Sequence, residues 1–291
     1  MYLTKSRRAE PCHRFMTVPV LTWSLSQVKL GRRVAIATVV SSKGSVPGKP
    51  GARLAITSDN QYFGTVGGAG LELRIQNNLK KLLTKDPKLN RKEGGIIETF
   101  QLYKDAKGKE VTALDSLCGG QVTVSMEVIE PMPHILIAGG GHVGRCVALV
   151  ADSLGWNYSI FDVREEFSNS EKYPFASDTI SMDADEFLNL ESNESIQRFS
   201  DILLLGHDWA IDQKLLLGLL KLRANEIRPR IGAIGSTSKW KSFRTAAISE
   251  GVNEEWFDLA RCPIGIDIGA ETPEEIGLAV CAEILLLEKT T

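Results

Sequence analysis

"HILIAGGGHVGRCVALVADSLGWNYSIFD", residues 134–162, is the stretch on which the fold of this chain turns. Five largely apolar residues, His134–Ala138, run into three consecutive glycines, Gly139, Gly140 and Gly141. Glycine loses more backbone freedom on folding than any other residue and brings no side chain to pack. Such a run therefore implies that something approaches the backbone closely. Gly139, Gly141 and Gly144 match G-x-G-x-x-G, and the flanking pattern is a short apolar strand, a helix from about His142, and a second strand closing on Asp162. Asp162 lies 18 residues beyond Gly144, close to the roughly 20 that separate the last glycine from the ribose-binding acid of a dinucleotide fold. On this reading Gly139 permits the tight turn, Gly141 lets the backbone meet a diphosphate, and Gly144 allows the helix to pack on the strand. The helix N-terminus offers N–H groups to the anion, with His142 touching phosphate or capping the helix, and Asp162 accepts from a ribose hydroxyl. A doubly wound domain whose glycine turn binds nothing carries the same pattern. Arg164 can accept a 2′-phosphate, so NADP stays open beside NAD, which Asp162 favours.

Downstream of this unit the strand candidates Thr179–Met182, Asp201–Gly206 and Arg230–Gly235 alternate with helical segments, which predicts a parallel sheet covered on both faces. Thr272, Pro273 and Glu275 supply an N-cap, a first-turn proline and a capping box before an apolar run, so a closing helix is expected from Pro273 to about Glu288. Upstream, "EPMPH" (130–134) holds two prolines without periodicity and reads as a linker. Before it the pattern changes to β-branched runs at 34–42, 52–59, 61–68, 95–102 and 121–130, with a hairpin turn at Asp59-Asn60. Leu71, Ile75, Leu79 and Leu82 recur at helical spacing, which lays an amphipathic helix over 70–83 on that sheet, and Leu21–Leu30 reads as a shorter helix. The expected architecture is α/β: a C-terminal Rossmann-like parallel sheet over 134–291 and a smaller, β-rich α+β N-terminal domain over 18–130.

Bulk properties narrow the function classes. The 291 residues exceed a typical single domain of roughly 100–200 residues, so two domains are expected. A formal charge of −2 gives no global field for nucleic acid or an anionic membrane. The five cysteines form an odd set without a CxxC pair, which disfavours a disulfide framework or a structural zinc site, and no metal site is expected. No run of 18 apolar residues suggests a membrane span. Residues 1–17 carry Arg7-Arg8 but no apolar stretch follows them, so they read as a loose arm and the expected location is cytoplasmic.

Candidates for chemistry are few. His207-Asp208 follows "DILLLG" at the C-terminal end of a strand, the edge at which open α/β sheets hold ligands; an acid/base role there competes with a structural or ligand-contact role. The first domain has three glycine-rich turns, "GSVPGKPGAR" (44–53), "GTVGGAG" (64–70) and "LCGGQ" (117–121). Such turns can nest an anion or a pterin-like heterocycle, or serve as plain hairpins and bulges. Within them Gly44, Ser45, Gly67, Gly68, Cys118, Gly119 and Gly120 are the candidate cofactor contacts, and Cys118 is the accessible cysteine. Cys146 reads as a buried packing residue. Lys49, Arg53, Lys80 and Lys81 read as solvated charges, and Trp240, Lys241 and Arg244 as a surface helix or part of a nucleotide pocket.

The chain is similar to the XdhC/CoxI family, accessory factors of xanthine dehydrogenase and carbon monoxide dehydrogenase maturation. The resemblance runs from about Thr22 to Glu288 and rests on "VVSSKGSVPGKPGARLAIT", "GTVGGAGLE", "LCGGQVTV", "ILIAGGGHVG", "LLLGHD", "GAIGS" and "CPIGIDIGAETPEEIGLAVCAEIL". It implies a chaperone that binds the molybdenum cofactor (molybdopterin), assists its sulfuration and passes it to a molybdenum hydroxylase such as xanthine dehydrogenase. It further implies a cysteine desulfurase as partner, self-association into a homo-oligomer, and a nucleotide site in the Rossmann-like domain. The chain departs from the family pattern at Gly70, where many members carry a cysteine, and at Gly48, where a basic residue often follows the motif proline. The rival reading is an NAD(P)-dependent oxidoreductase using His207 or Asp208.

Overall fold

The computed structural model describes residues 17–84, 95–102, 111–113, 120–224, 226 and 228–290. The chain divides between Pro131 and Met132 into two compact units. In the first, helix α1 (Thr17–Lys29) precedes strands β1 (Val34–Gly44), β2 (Arg53–Thr57) and β3 (Tyr62–Thr65). Helix α2 (Ala69–Thr84) then leads to β4 (Ile96–Gln101), β5 (Val111–Ala113) and β6 (Gly120–Ile129). The strands form one six-stranded sheet in the order β3-β2-β1-β6-β4-β5. Its pairings are antiparallel except β4 with β5.

The period-2 pattern of β1 accounts for a helix on each face. Ala35, Ala37 and Val39 point to one side, where Leu71, Ile75, Leu79 and Leu82 of α2 cover them. Val34 and Ile36 point to the other and pack with Val20 of α1, where Trp23 stacks on Phe63 at 5.8 Å. Helix α1 is described from Thr17, a turn before the Leu21 at which the apolar periodicity places its start, and Thr17 is held by Arg53 (3.1 Å) and Gly51. Strand β5 has no counterpart in the sequence reading, since three residues are too few to show a period. Residues 1–16, including Cys12 and His13, lie outside the described residues, as do Cys118 and Gly119.

The second unit is a doubly wound Rossmann-like domain. Strands β7 (His134–Ala138), β8 (Asn157–Phe161), β9 (Asp178–Ile180), β10 (Asp201–Leu204) and β11 (Arg230–Ala233) are all parallel, in the order β11-β10-β7-β8-β9. Strand order reverses between β7 and β10, the position at which such sheets open a crevice at their C-terminal edge. Ile135 and Ile137 face α3 (His142–Leu154) and α9 (Pro273–Thr290), while Leu136 and Ala138 face α4 (Ala184–Leu190) and α6 (Trp209–Arg223). Three more helices, α5 (Asn193–Ile196), α7 (Thr237–Ser249) and α8 (Glu254–Asp258), complete the unit. The capping box of α9 is present: Glu275 N–H donates to Thr272 Oγ1 at 3.3 Å and Thr272 N–H to Glu275 Oε2 at 3.0 Å. Gly277 lets α9 approach α3 closely, since a Cβ there would lie 2.8 Å from Cys146 Cβ.

Candidate functional site

The glycines after β7 answer to different neighbours. Gly139 has φ +122°, open to glycine and strained for other residues, and a Cβ on it would lie 2.6 Å from the carbonyl carbon of Leu205. A Cβ on Gly140 would meet Phe167 O at 1.8 Å, and one on Gly144 would meet Gly139 O at 2.1 Å and Ile137 Cγ2 at 3.1 Å. Gly141 differs. It caps α3 with φ −76°, a value any residue adopts, and a Cβ there would meet nothing within 4 Å. The fold itself therefore demands glycine at 139, 140 and 144, whereas at 141 it leaves an open approach to the start of α3. No side chain caps this helix, so its first-turn N–H groups face that opening. His142 is exposed at the first helical position.

Asp162 follows β8 and is 5% exposed. Its Oδ1 accepts from Arg164 N–H (3.1 Å) and Nε–H (2.9 Å), and its Oδ2 from Gly140 N–H (3.0 Å) and Arg164 Nη2 (2.9 Å). Burial alone would raise its pKa; the Arg164 guanidinium, with the Arg164 and Gly140 amides, wins and holds the carboxyl below its usual range. Tyr173 donates to Gly140 O at 2.8 Å, and burial pushes its phenol up to about 12. The segment after β8 thus fixes Gly140 from both its N–H and its carbonyl.

Across the crevice, Gly206 N–H donates to Asp212 Oδ1 at 3.2 Å, and Asp212 pairs with Lys239 Nζ at 2.8 Å. Asp212 is 1% exposed, and burial raises its pKa despite the lysine. Asp208 is the N-cap of α6, accepting from Ala210 N–H at 2.8 Å, and His207 is exposed beside it. Gly139, Asp162, Gly206, His207, Asp208 and Asp212 line one open cleft. Of the second unit's candidates this cleft gathers Gly139, Asp162, His207 and Asp208, while Gly141, His142 and Gly144 are not among its lining residues, and it adds Asp212, which Lys239 pairs. The sequence hid this pair: Asp212 reads as a polar residue in an apolar helix, and Lys239 is 27 residues away. Trp240 packs on Phe257 at 4.5 Å, and Arg244 pairs with Glu254 and Asp258. These two serve α7 and α8, and neither lines the cleft. Cys146 is part-buried with its thiol pKa raised by burial.

In the first unit the glycine turns converge. Gly44 pairs with Gly120 across β1 and β6, and a Cβ on Gly120 would lie 2.8 Å from Ser45 O. Gly67, φ +80°, sits with its Cβ position 2.7 Å from Pro47 O, and that of Gly68 is 2.5 Å from Pro47 Cγ. Gly67 N–H is taken by Thr65 Oγ1 at 3.0 Å. Packing thus accounts for Gly67, Gly68 and Gly120. Gly70, in the first turn of α2, faces open space. Among the described residues no group of three or more His, Cys, Asp or Glu is placed to hold a metal, and no helix is long and apolar enough to cross a membrane.

A parallel sheet wound 3-2-1-4-5, with a glycine turn at its switch point and an acid closing the second strand, defines a dinucleotide-type Rossmann domain. The family comparison is more specific. Residues 135–284 match the model described as the XdhC Rossmann domain, and residues 28–91 that of the XdhC and CoxI family. The chain belongs to the XdhC/CoxI family. It is 29% identical over 252 residues to the uncharacterized protein YqeB of Escherichia coli, covering 86% of this chain and 43% of that protein. It is 27% identical over 161 residues to a probable xanthine dehydrogenase subunit of Bacillus subtilis, covering 55% of this chain and 44% of that one. The chain thus spans less than half the length of these curated relatives. A crystal structure described as a xanthine dehydrogenase from Bacillus halodurans is 17% identical, covers 94% of this chain and 96% of that chain, and has a TM-score of 0.47.

Proposed function

We propose that this chain is an accessory factor in the maturation of a molybdenum hydroxylase of the xanthine dehydrogenase type, holding a nucleotide in its Rossmann cleft and handling the molybdenum cofactor in its N-terminal unit. The observation that carries the nucleotide assignment is the opening at Gly141, where nothing in the protein requires a glycine and an incoming diphosphate does. The hydroxylase assignment is supported by family membership and by the Bacillus subtilis relative, whose description is that of a probable xanthine dehydrogenase component.

The residues fit the nucleotide closely: the start of α3 supplies N–H donors, Gly141 leaves room for the phosphates, and Asp162 fixes the turn through Gly140. In the N-terminal unit the fit to a pterin rests on the turn at Gly67–Gly70, where only Gly70 is free of packing duty. When bound, the molybdenum cofactor supplies the metal-pterin group that the recipient hydroxylase uses. This chain's part is to hold and orient it and to exclude water. With glycine at 70, the sulfur comes from a partner cysteine desulfurase, and the chain works as a carrier, in keeping with a cleft whose Asp208 is a helix cap and whose Asp212 is tied to Lys239.

The test is co-expression with a molybdenum hydroxylase, purification, and mass spectrometry of the small molecules released by denaturation. A molybdopterin oxidation product together with a nucleotide is the expected result. Steady oxidation of a reduced nicotinamide by a carbonyl substrate, with no pterin released, would replace this reading with the oxidoreductase one.

A further inference from the structure

We propose that the nucleotide this cleft selects carries a phosphate monoester on the ribose nearest β8, as NADP(H) does, with Arg164 and Lys172 as its cations and Asp162 as the residue that positions Arg164. The proposal rests on the nucleotide reading of the Gly139–Gly144 turn and sharpens it to a ligand class.

Asp162 has no acceptor position left for a ribose. An ionised carboxylate offers about four lone-pair positions, and Asp162 already receives the Arg164 amide, Arg164 Nε, Arg164 Nη2 and the Gly140 amide. A ribose diol that bound this acid directly would have to displace a bidentate guanidinium from a group that is 5% exposed, and charge-assisted fork pairs of this kind are among the strongest hydrogen-bonded contacts. In this arrangement the acid is an anchor for the arginine.

The arginine keeps donors to spare. A guanidinium has about five N–H groups, and Asp162 occupies one on Nε and one on Nη2. Arg164 Cζ sits 3.9 Å from the centroid of the Phe167 ring, and its side chain remains 31% exposed. Lys172 Nζ lies 4.1 Å from the same centroid. Phe167 thus contacts both cations, and Arg164, two residues past the cleft-lining Asp162, is held by that buried carboxylate. Glu165 and Glu166 are exposed in the short helical turn that follows, and Glu166 adds to the field at Arg164. A planar fork with free N–H groups matches a phosphate monoester geometrically, and a neutral diol gains nothing from the second cation.

The experiment is a titration of the full chain with NADPH and NADH, read by nicotinamide fluorescence and by thermal shift, on the wild type, Arg164→Leu, Lys172→Gln and Gly141→Asp. NADPH is expected to bind at least tenfold more tightly than NADH. Arg164→Leu should remove that preference while NADH affinity holds or improves, because two acceptor positions on Asp162 become free. Lys172→Gln, which leaves the Asp162 contacts untouched, should weaken NADPH severalfold and NADH little. Equal affinity, or tighter NADH, in the wild type overturns the proposal while the nucleotide reading stands, provided Gly141→Asp abolishes binding. If neither cofactor binds, the nucleotide reading falls and this proposal with it. Circular dichroism of Arg164→Leu shows whether a lost preference comes from a lost fold, in which case Lys172→Gln alone decides.

Discussion

Gly141 and Gly144 stand three residues apart and answer to different demands. A Cβ at 144 would press into Gly139 O at 2.1 Å, backbone that cannot move aside, while a Cβ at 141 would point into open space. Gly144→Ala should therefore lower stability by about 1–3 kcal/mol, the usual range for overpacking, as measured by urea denaturation. Gly141→Asp should leave stability within about 0.5 kcal/mol of the parent, as for a surface change, yet abolish nucleotide binding in a titration, because a carboxylate would stand where the diphosphate rests. The opposite pattern, with 141 intolerant and 144 permissive, would mean that the turn is built differently. At this scale the pattern G-x-G-x-x-G marks three glycines but cannot tell which of them the protein needs for itself. That depends on packing: Leu205, beyond β10, crowds Gly139, the turn's own Gly139 carbonyl crowds Gly144, and Phe167 crowds Gly140, a position the pattern leaves open.

Among the elements, β7 carries a buried imidazole, and β10, β11 and α9 carry a cluster of ion pairs in the second unit. His134, at the start of β7, is hydrogen-bonded to Ser159 Oγ at 2.9 Å and packs edge-on against Phe199 at 4.9 Å. Burial, reinforced by the nearby Arg198 and opposed by Asp178, lowers its pKa from 6.5 to about 4. The folded chain thus keeps this imidazole neutral where the unfolded chain protonates it, so folding is disfavoured as pH falls from 6.5 to about 4. Stability should drop on the order of 3 kcal/mol across that window from this group. His134→Gln should flatten the slope in denaturation curves taken at several pH values. At the same end of the sheet, Asp201, fully buried, pairs with Arg230 at 2.7 Å and with Arg261 at 3.2 Å. Glu288 of α9 pairs with Arg230 and with Arg228, and Glu283 of α9 with Arg261 at 3.0 Å. Asp201→Ala would leave two guanidinium groups without their buried acid and should destabilise the chain by about 3–5 kcal/mol, read as an earlier urea midpoint. The helix itself was legible in Thr272, Pro273 and Glu275, since a capping box is local. The charge cluster was not, because its members come from β10, β11, the segment after α8, and α9.

For the molecule as a whole, the two units have separate cores. Leu79 belongs to the core between α2 and the six-stranded sheet and is fully buried. Leu79→Ala should cost about 2–5 kcal/mol in that core, whereas nucleotide affinity measured at a temperature where the variant remains folded should match the parent. A parallel loss of affinity would show that the cleft depends on the first unit. The division itself was visible as a change of period, from alternating β-branched runs to strand-helix repeats, across the prolines of 130–134. Family membership was also legible, since the motifs that carry it are contiguous stretches.

Read as a string of residues, the chain already specified the order of the elements, the parallel sheet of the second unit, the glycine turn at its switch point and the closing helix, because periodicity, capping and turn chemistry act over a few residues. What those pieces do to one another came from folding in three dimensions. Folding saturated Asp162 with Arg164 and the Gly140 amide, joined Asp212 to Lys239 of the next helix, and brought the turns around Ser45, Gly67 and Gly120 together. Hydrogen-bonding capacity and electrostatic neighbours are properties of packed space, and no spacing along the chain specifies them.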